Sequence, residues 1–476
     1  MKTNHFCTLI SLLVVGGMAI SLLGCDSDLS GINFSPNSVN DGNVRTYIGQ
    51  QAVLVGLQSA VGDWYSADRS RLLSIWTRQM CAPTGLGRPQ PAAWNTYTID
   101  RSISSPDDYN WLNSYHVVKL ANDIIDNAAT AGVPTAYANL YVGIACFYKA
   151  LALGENAAMY GSIPIDISPL QPLFVTQTAA YAEVQRLLDQ AIASFQAGVP
   201  TAAEARDLNF SGDIAPNNGA RWIAACYTMK ARYLMHTLNY AAAVTAANSG
   251  ISAAANGVYS VYTTTTGEYA PWGHWVNTEA GNPIRANKYY MDLLRGKGST
   301  DSTATDSRRT AYFTIVTGSG ATQIVGHDIY GDLGGTGDEL TPGRAAGLLK
   351  YGPYNARFPL ISYQENLLIR AEATARTSGV TAGALADLNA IRTGAGLTAK
   401  VAGDFATTAA FITEVLKQKY LQLQLEGQDY HDMRRVNQTD GTPLRRTGIP
   451  LRWLYPESET TTNANVPADP ARNELW

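Results

Sequence analysis

The stretch from Ser362 to Val436 constrains this chain most, because its apolar residues have the spacing of three successive helices. Ser362 and Glu365 have the spacing of a capping box, which predicts the start of the first helix. Small or apolar residues then recur at every fourth position from Tyr363 to Ala375. Gly379 predicts the end of this helix, since glycine tolerates the left-handed backbone conformation that follows many helices.

The second and third helices of this stretch follow the same pattern. Apolar residues from Leu385 to Ile391 mark the second helix, and Gly394 or Gly396 predicts its end. The third is predicted to run from Ile412 to Gly427 and is apolar on more than one side, which indicates a buried helix. Helical spacing of this kind is typical of core packing, so these residues define a scaffold and not a catalytic site.

The rest of the chain adds paired helical patterns and one long interruption. Small residues occur where neighbouring helices must approach closely, which predicts a tetratricopeptide-like array, although no strict 34-residue repeat is visible. The interruption from Tyr259 to Tyr354 is rich in glycine, threonine and serine and is predicted to be mostly loop. The further helices are predicted at residues 44–61, 109–129, 137–153, 181–195, 220–238 and 241–251.

Several of these segments resemble one known family. The C-terminal stretch contains, in order, LLIRAEATAR, LADLNAIRTGAGL and QLEGQDYHDMRRV. Together they resemble the C-terminal signature of the SusD/RagB family, surface lipoproteins that capture nutrients for a TonB-dependent transporter. The earlier segments ACFYKALAL, MYGSIPI and ARWIAACYTMKARYLMHTLNYAAAVTAA are similar to the helical segments of that family.

The resemblance implies a mainly α fold, a SusD-like superhelix of helix pairs with a loop-rich, partly β insertion. The expected organisation is a signal peptide at 1–24, a lipid-anchored linker at 25–40 and one domain at 41–476. Within that domain, helical pairs are expected at about 41–255 and 360–436. The insertion, at about 256–359, is expected on the ligand side.

The N-terminus has the pattern of a lipoprotein export signal. Lys2 precedes a short apolar region from Leu9 to Leu23, as in a secretory signal peptide. The sequence from Leu22 to Cys25 resembles a lipobox, in which the signal peptidase cuts before the cysteine and the thiol is acylated. Acidic residues after Cys25 favour the cell surface in similar lipoproteins. We therefore expect a protein that is attached to the outer membrane through Cys25.

Composition excludes some function classes. Hydrophobic residues make up 46% and charged residues 16% of the chain, so a sizeable core is available. The formal charge of −4 and the lack of a basic run argue against a nucleic-acid partner. Cys81, Cys146 and Cys226 remain after the signal and the anchor, and an odd number does not indicate a disulfide framework. Cys146 and Cys226 lie in apolar helices and are expected in the core.

No catalytic motif, metal site or cofactor site is predicted. The six histidines form no HExxH pair, and the glycines between Gly331 and Gly337 lack both GxGxxG and a P-loop lysine. An acidic segment could hold a hard cation through oxygen, but its spacing is not that of an EF-hand and a solvated loop is favoured. Its residues are Asp328, Asp332, Asp338 and Glu339.

Aromatic residues among polar ones are the remaining candidates for a binding site. Indole and phenol rings can stack on the apolar face of a sugar, while amide, carboxylate and guanidinium groups bind its hydroxyls. Trp94 and Trp272 lie in loops with proline or glycine, which are expected at the surface. The alternative is that these tryptophans are buried structural anchors. The candidate carbohydrate-binding residues are Trp76, Arg78, Trp94, Asn95, Tyr97, Trp272, His274 and Trp275.

The sequence therefore predicts a non-enzymatic lipoprotein that binds an oligosaccharide or polysaccharide. The resemblance implies that it delivers this ligand to a SusC-like TonB-dependent transporter, its expected partner. Capture of peptides on the same scaffold is the first alternative, and glycan and peptide panels separate the two. A surface glycoside hydrolase is the second, and it requires two carboxylates about 5 to 9.5 Å apart. The third is a helical scaffold that binds only another protein.

Overall fold

A computed structural model describes residues 44–82, 93–97, 100–200, 207–210, 218–278, 284–295, 306–313, 348–436 and 449–468. The proposed lipid site at Cys25 and the acidic segment 328–339 lie outside these residues. The helices are α1 Tyr47–Ser66, α2 Asp68–Trp76, α3 Pro106–Asn127, α4 Thr135–Tyr160, α5 Gln177–Gln196, α6 Asn218–His236, α7 Tyr240–Asn248, α8 Pro271–Thr278, α9 Lys288–Leu294, α10 Arg308–Tyr312, α11 Tyr363–Ser378, α12 Ala382–Gly394, α13 Thr408–Gln422, α14 Gln428–Val436 and α15 Glu457–Thr462.

The described strands are short and form three antiparallel pairs. Strand β1 (Met80–Cys81) pairs with β5 (Arg285–Ala286), and β2 (Ile163–Pro164) pairs with β3 (Phe174–Val175). Strand β4 (Val258–Ser260) pairs with β6 (Phe358–Ile361), so that Val258 faces Ile361. The first pair joins the segment between α7 and α11 to the strand that follows α2. The third pair joins the two ends of that segment to each other. The predicted mainly α class with a partly β insertion is confirmed, whereas the domain boundaries stay a prediction.

Side-chain caps explain where many helices begin. Thr46, Ser105 and Thr176 each accept a hydrogen bond from a backbone N–H of the first turn of α1, α3 and α5. The oxygen of Ser362 accepts one from the N–H of Glu365 at 3.2 Å, as its spacing predicted. The carboxylate of Glu365 does not complete the capping box, because it binds a buried arginine instead.

The third C-terminal helix ends earlier than its sequence predicted. Helix α13 ends at Gln422, and α14 begins separately at Gln428, after Gly427. Leu425, with φ of 67°, and Gly427, with φ of 81°, adopt left-handed conformations that interrupt the helix. The freed N–H of Leu425 donates to the side-chain oxygen of Gln79 at 2.7 Å, so this backbone group keeps a hydrogen-bond partner at the break.

Successive helices pack against one another to form the array. Helix α1 packs on α3, α3 on α4, α4 on α5, α5 on α6, and α6 on α7. Helix α7 then packs on α11, which also contacts α12 and α13. This order matches the predicted helix-pair architecture and places the C-terminal helices against the earlier ones.

Helix α4 lies at the centre of this array. Among the described residues it alone has the length and composition of a membrane span, but 72% of its apolar window is buried inside the protein, as in a core helix. Its glycines let aromatic rings of neighbouring helices approach closely. A Cβ atom on Gly154 would lie 2.2 Å from the ring of Tyr233, and one on Gly143 would lie 2.4 Å from the ring of Phe195.

Charged side chains are buried where α2, α4, α6 and α14 meet. The carboxylate of Glu155 pairs with Arg69 and lies 3.0 Å from Nε2 of His431. Arg232 approaches the same carboxylate at 3.8 Å and donates two 2.6 Å hydrogen bonds to Glu365. All of these side chains are almost fully buried. We call this group the Glu155 cluster.

The side chains around Glu155 determine whether its carboxylate is protonated. Burial disfavours a charged carboxylate, but Arg69, His431 and Arg232 outweigh it and hold the pKa of Glu155 well below its usual range. Burial lowers the pKa of His431, which the nearby Glu155 only partly offsets. A second buried carboxylate, Glu372, binds Arg435 at 2.7 Å and has its pKa lowered to about 2 by Arg435 and Arg376, against the effect of burial.

The glycine contacts give a prediction for stability. Replacing Gly154 with alanine should lower the free energy of unfolding by about 1 to 3 kcal/mol, because the new methyl group overlaps the ring of Tyr233. The matched control is Gly56→Ala in α1, where a Cβ meets no atom within 4 Å. That variant should be up to about 1 kcal/mol more stable, since alanine has the higher helix propensity. Urea unfolding measures both, and equal changes would contradict the proposed contact.

The buried carboxyl group of Glu426 gives a second prediction for stability. Its effect on the free energy of unfolding should change with pH in the opposite direction from that of the paired acids Glu155 and Glu372. Burial raises the pKa of Glu426 from 4.5 to about 7, although Lys350 and the hydroxyl of Tyr351 lie beside it. The protonated form is thus favoured in the folded state, and its contribution to stability is lost as the pH rises through 7. Between about pH 5 and pH 8, the wild type should lose on the order of 3 kcal/mol of stability relative to Glu426→Gln.

Urea unfolding at several pH values tests this expectation. Asp100→Asn serves as the control, because hydrogen bonds from Ser102 lower the pKa of the exposed Asp100 carboxyl. Asp100 is therefore ionised in both folded and unfolded states over this pH range, and its variant should differ from the wild type by a constant amount. A constant difference for Glu426→Gln as well would show that Glu426 is charged in the folded protein.

Candidate functional site

The first set of predicted site residues lies around α2 and is mostly buried. Trp76 is enclosed by the rings of Tyr97, Tyr430 and Trp453, at centroid distances of 5.7 to 5.9 Å. Trp94 is only 4% exposed. The amide of the buried Asn95 forms hydrogen bonds with both backbone groups of Ala82, one of them at 3.2 Å, and Arg78 and Tyr97 are half-buried.

The second predicted set lies on α8. Trp272 is 1% exposed, and its indole N–H donates to the hydroxyl of Ser70 at 2.9 Å. Trp275 is half-buried, with the guanidinium of Arg71 located 5.3 Å from the centre of its ring. His274 is exposed.

The expectation that Trp94 and Trp272 lie at the surface is therefore wrong. Both rings pack against apolar side chains in the core. The indole N–H of Trp272 also has a buried acceptor, which is the usual condition for burying an indole. Trp76 is likewise part of the core. These three side chains act as structural anchors in this structure. The binding roles of Arg78, Asn95, Tyr97, His274 and Trp275 stay predictions.

A cleft between α1 and the segment 258–269 is a candidate site in the described part of the chain. It has a volume of about 420 Å³, within the usual range for small-ligand pockets. Helix α1 forms one wall through Val55, Gln58, Ser59, Gly62 and Asp63. These positions recur at helical spacing, so α1 presents one stripe to the cleft and its opposite stripe to the core.

Four tyrosines line the cleft. They are Tyr148, Tyr259, Tyr262 and Tyr269. Tyr148 and Tyr262 are held by hydrogen bonds, since Asn209 donates to the Tyr148 hydroxyl at 2.7 Å and the hydroxyls of Tyr262 and Ser66 are 2.8 Å apart. The cleft thus combines apolar ring surface with polar groups that are already oriented.

Backbone contacts fix the wall opposite α1. Gly62 allows this wall to approach the helix, because a Cβ there would lie 3.0 Å from the Tyr262 hydroxyl and 3.2 Å from Ser260. The N–H of Tyr259 donates to the side-chain oxygen of Asn209 at 3.0 Å. Residues 263–268 form a closed turn, in which the N–H of Thr263 donates to the carbonyl of Glu268 at 3.0 Å.

An aromatic stack supports the rim of the cleft. The ring of Tyr269 stacks on Tyr354 at a centroid distance of 4.1 Å, and the exposed His274 stacks on Tyr269 at 5.9 Å. The N–H of Ala270 donates to the carbonyl of Tyr354 at 2.6 Å, which ties the two segments together. Among the ring contacts of the described residues, His274 is therefore the only predicted site residue that contacts a ring lining the cleft.

The charged groups of the cleft are acidic. Asp63 and Glu268 line it, and no lysine or arginine occurs among the described residues that do so. Burial raises the pKa of Asp63, as expected for a carboxylate without a compensating cation. Glu268 accepts a 2.6 Å hydrogen bond from the hydroxyl of Thr263. Burial also raises the pKa of Tyr259 and Tyr262, so both hydroxyls are protonated at neutral pH and can donate hydrogen bonds.

The sequence offered one local signal for this site. The segment 259–269, just before α8, has three tyrosines among serine, threonine and glycine residues. These tyrosines, Tyr259, Tyr262 and Tyr269, all line the cleft. The cleft forms only because this segment packs opposite α1, which lies about two hundred residues earlier in the sequence.

The C-terminal part of the chain matches the model of the SusD family over residues 348–468. This match covers α11 to α15 and so includes the three segments, from α11 to α14, that resemble the family signature. No curated protein gives a significant match. The matched residues lie in the C-terminal helices, and the rest of the chain is similar to proteins of that family in fold.

Solved structures of low sequence identity share this fold. A SusD/RagB family protein from Bacteroides thetaiotaomicron is 20% identical, with a TM-score of 0.64, over 87% of this chain and 94% of that one. A chitin-binding SusD homologue from Flavobacterium johnsoniae is 15% identical, with a TM-score of 0.61 and the same coverage of both chains. A laminarin-binding SusD-like protein is also 15% identical, with a TM-score of 0.65, over 90% of this chain and 99% of that one.

Proposed function

We propose that this protein captures an oligosaccharide or polysaccharide in the cleft between α1 and the segment 258–269. The observation that carries this proposal is the combination of tyrosine rings with oriented polar groups in a cleft of about 420 Å³. A sugar has apolar C–H faces and polar edges, so it needs both kinds of surface. The chitin-binding and laminarin-binding proteins of the same fold support a carbohydrate ligand.

The proposed role is binding without chemistry. Asp63 and Glu268 are the two carboxylates of the cleft, but Glu268 is already held by Thr263. The role of the cleft is then to bury part of a glycan, which contributes roughly 25 cal/mol per Å² of apolar area before the costs of binding. Hydrolysis is tested alongside binding, because two carboxylates at a suitable distance could also cleave a glycosidic bond.

Truncating the rim tests the capture role. Tyr269→Ala should weaken the binding of a glycan about tenfold or more, a loss of about 1.4 kcal/mol, because it removes ring surface from the cleft and leaves Tyr354 without its stacking partner. Calorimetric titration of the form starting at Asp26 measures this, with laminarin, chitin oligosaccharides and a peptide pool as ligands. The control is Tyr109→Ala, which removes an exposed tyrosine that does not line the cleft.

Other outcomes would redirect the proposal. Binding of peptides alone would favour the peptide-capturing alternative. Release of reducing sugar by the purified wild type, lost in Asp63→Asn, would favour a hydrolase. Equal glycan affinity in Tyr269→Ala and in the wild type would place the binding surface elsewhere.

We further propose that the protein is an outer-membrane lipoprotein that delivers its ligand to a SusC-like TonB-dependent transporter. The lipobox-like sequence before Cys25 and the match of residues 348–468 to the SusD family model support this. The acyl chains on the cysteine would hold the protein to the membrane, since each buried methylene contributes about 0.8 kcal/mol.

Replacing Cys25 tests the anchor and the partner together. Mass spectrometry should find acyl chains on the N-terminal peptide of the wild type and none on Cys25→Ser, while a pull-down of the wild type from outer membranes should recover a TonB-dependent barrel. Cys7→Ser is the control, because Cys7 is removed with the signal peptide and its loss should change neither result. An unmodified Cys25 would contradict the anchor, and a pull-down without any such barrel would contradict the partner.

A further inference from the structure

The charge of the cleft limits which glycans it can accept. Of the described residues that line it, only Asp63 and Glu268 have acidic or basic side chains, and both are carboxylic acids. One lies on α1 and the other on the opposite wall, so a ligand in the cleft passes between two carboxylates. A ligand with its own carboxylates or sulfates would meet like charges on both sides.

Two arginines of the described segments around the cleft take part in other contacts. Arg357 lies over the ring of Tyr259, at 4.6 Å from its centre, but does not line the cleft. Arg71 pairs with Asp68 and lies over Trp275. Neither cation lies among the groups that would surround a ligand. The hydroxyls, amides and tyrosine rings of the walls suit uncharged sugars, whose hydroxyl groups can donate to the carboxylates.

We propose that the cleft selects uncharged glycans and rejects acidic ones, with Asp63 and Glu268 as the residues that discriminate. This inference rests on the proposed glycan-capture function and specifies its ligand class. Like-charge repulsion is a common way to exclude a competing ligand, because it weakens the wrong complex without a new contact to the right one.

The test compares one polysaccharide in two charge states. Laminarin and laminarin with its C6 hydroxyls oxidised to carboxylates share linkage and length, so charge is their main difference. Calorimetric titration at pH 7 and low salt should show that the wild type binds the oxidised form at least about tenfold more weakly, since like charges placed together cost more than the 1.4 kcal/mol of a tenfold change. Chitohexaose provides a second uncharged probe.

Two double variants assign the discrimination to the cleft. Asp63→Asn with Glu268→Gln removes both carboxylates and should reduce the preference for uncharged laminarin to within about threefold. If the net charge of the whole protein caused the repulsion, removing any two acidic residues would reduce the preference equally. The control is Asp100→Asn with Glu457→Gln, which removes the same charge from exposed residues outside the cleft. The control should keep the full preference for uncharged laminarin.

The outcomes separate this inference from the function on which it rests. If the oxidised form binds the wild type as tightly as the uncharged form, the charge selection is wrong while the capture function stands. The same holds if the preference survives in Asp63→Asn with Glu268→Gln, or falls equally in the control. If the wild type binds no laminarin, chitohexaose or oxidised laminarin, the capture function fails and the charge selection fails with it.

Discussion

The buried carboxylate of Glu155 is the constraint on which the helical array depends. It lies on α4 and is paired with side chains from three other helices, the guanidinium groups of Arg69 on α2 and Arg232 on α6 and the imidazole of His431 on α14. Removing one partner of a buried ion pair leaves an uncompensated charge, which is strongly destabilising. These helices therefore have to meet at one place for any of the charges to be buried. The cluster fixes their relative positions more strictly than apolar packing alone, which tolerates small shifts.

The same cluster is connected to the cleft through the backbone. Arg232 binds Glu365 at the start of α11 and donates a 2.6 Å hydrogen bond to the carbonyl of Leu360 in β6. Strand β6 pairs with β4, and β4 leads directly into the wall of the cleft that contains Tyr262 and Tyr269. In the described part of the chain, helices α11 to α15 thus contribute no side chain to the lining of the cleft, but Glu365 of α11 helps to position one of its walls through Arg232.

The scaffold could be predicted from the sequence to a large extent, whereas the site could not. Helical periodicity is local, so the sequence predicts α3, α5 to α7, α11 and α12 close to their observed ends, whereas α4 continues to Tyr160, seven residues beyond its predicted end. Ser362 caps α11 as its spacing indicated. The break between α13 and α14 was missed because it depends on Gln79, which is distant in sequence. The tryptophans were placed at the surface because of their proline- and glycine-containing loops. The acceptor that buries Trp272 is Ser70, two hundred residues away.

The two walls of the cleft differ in how freely their residues can change. Helix α1 faces the cleft with one stripe and the core with the other, and Gly62 is in close contact with the opposite wall. A larger residue there would displace Tyr262 and disturb packing at the same time. The turn 263–268 is mostly exposed and closes through its own hydrogen bonds, so its side chains can change at little cost to the core. Specificity in this cleft can therefore be altered through residues such as Glu268, while α1 keeps the fold and the position of the site.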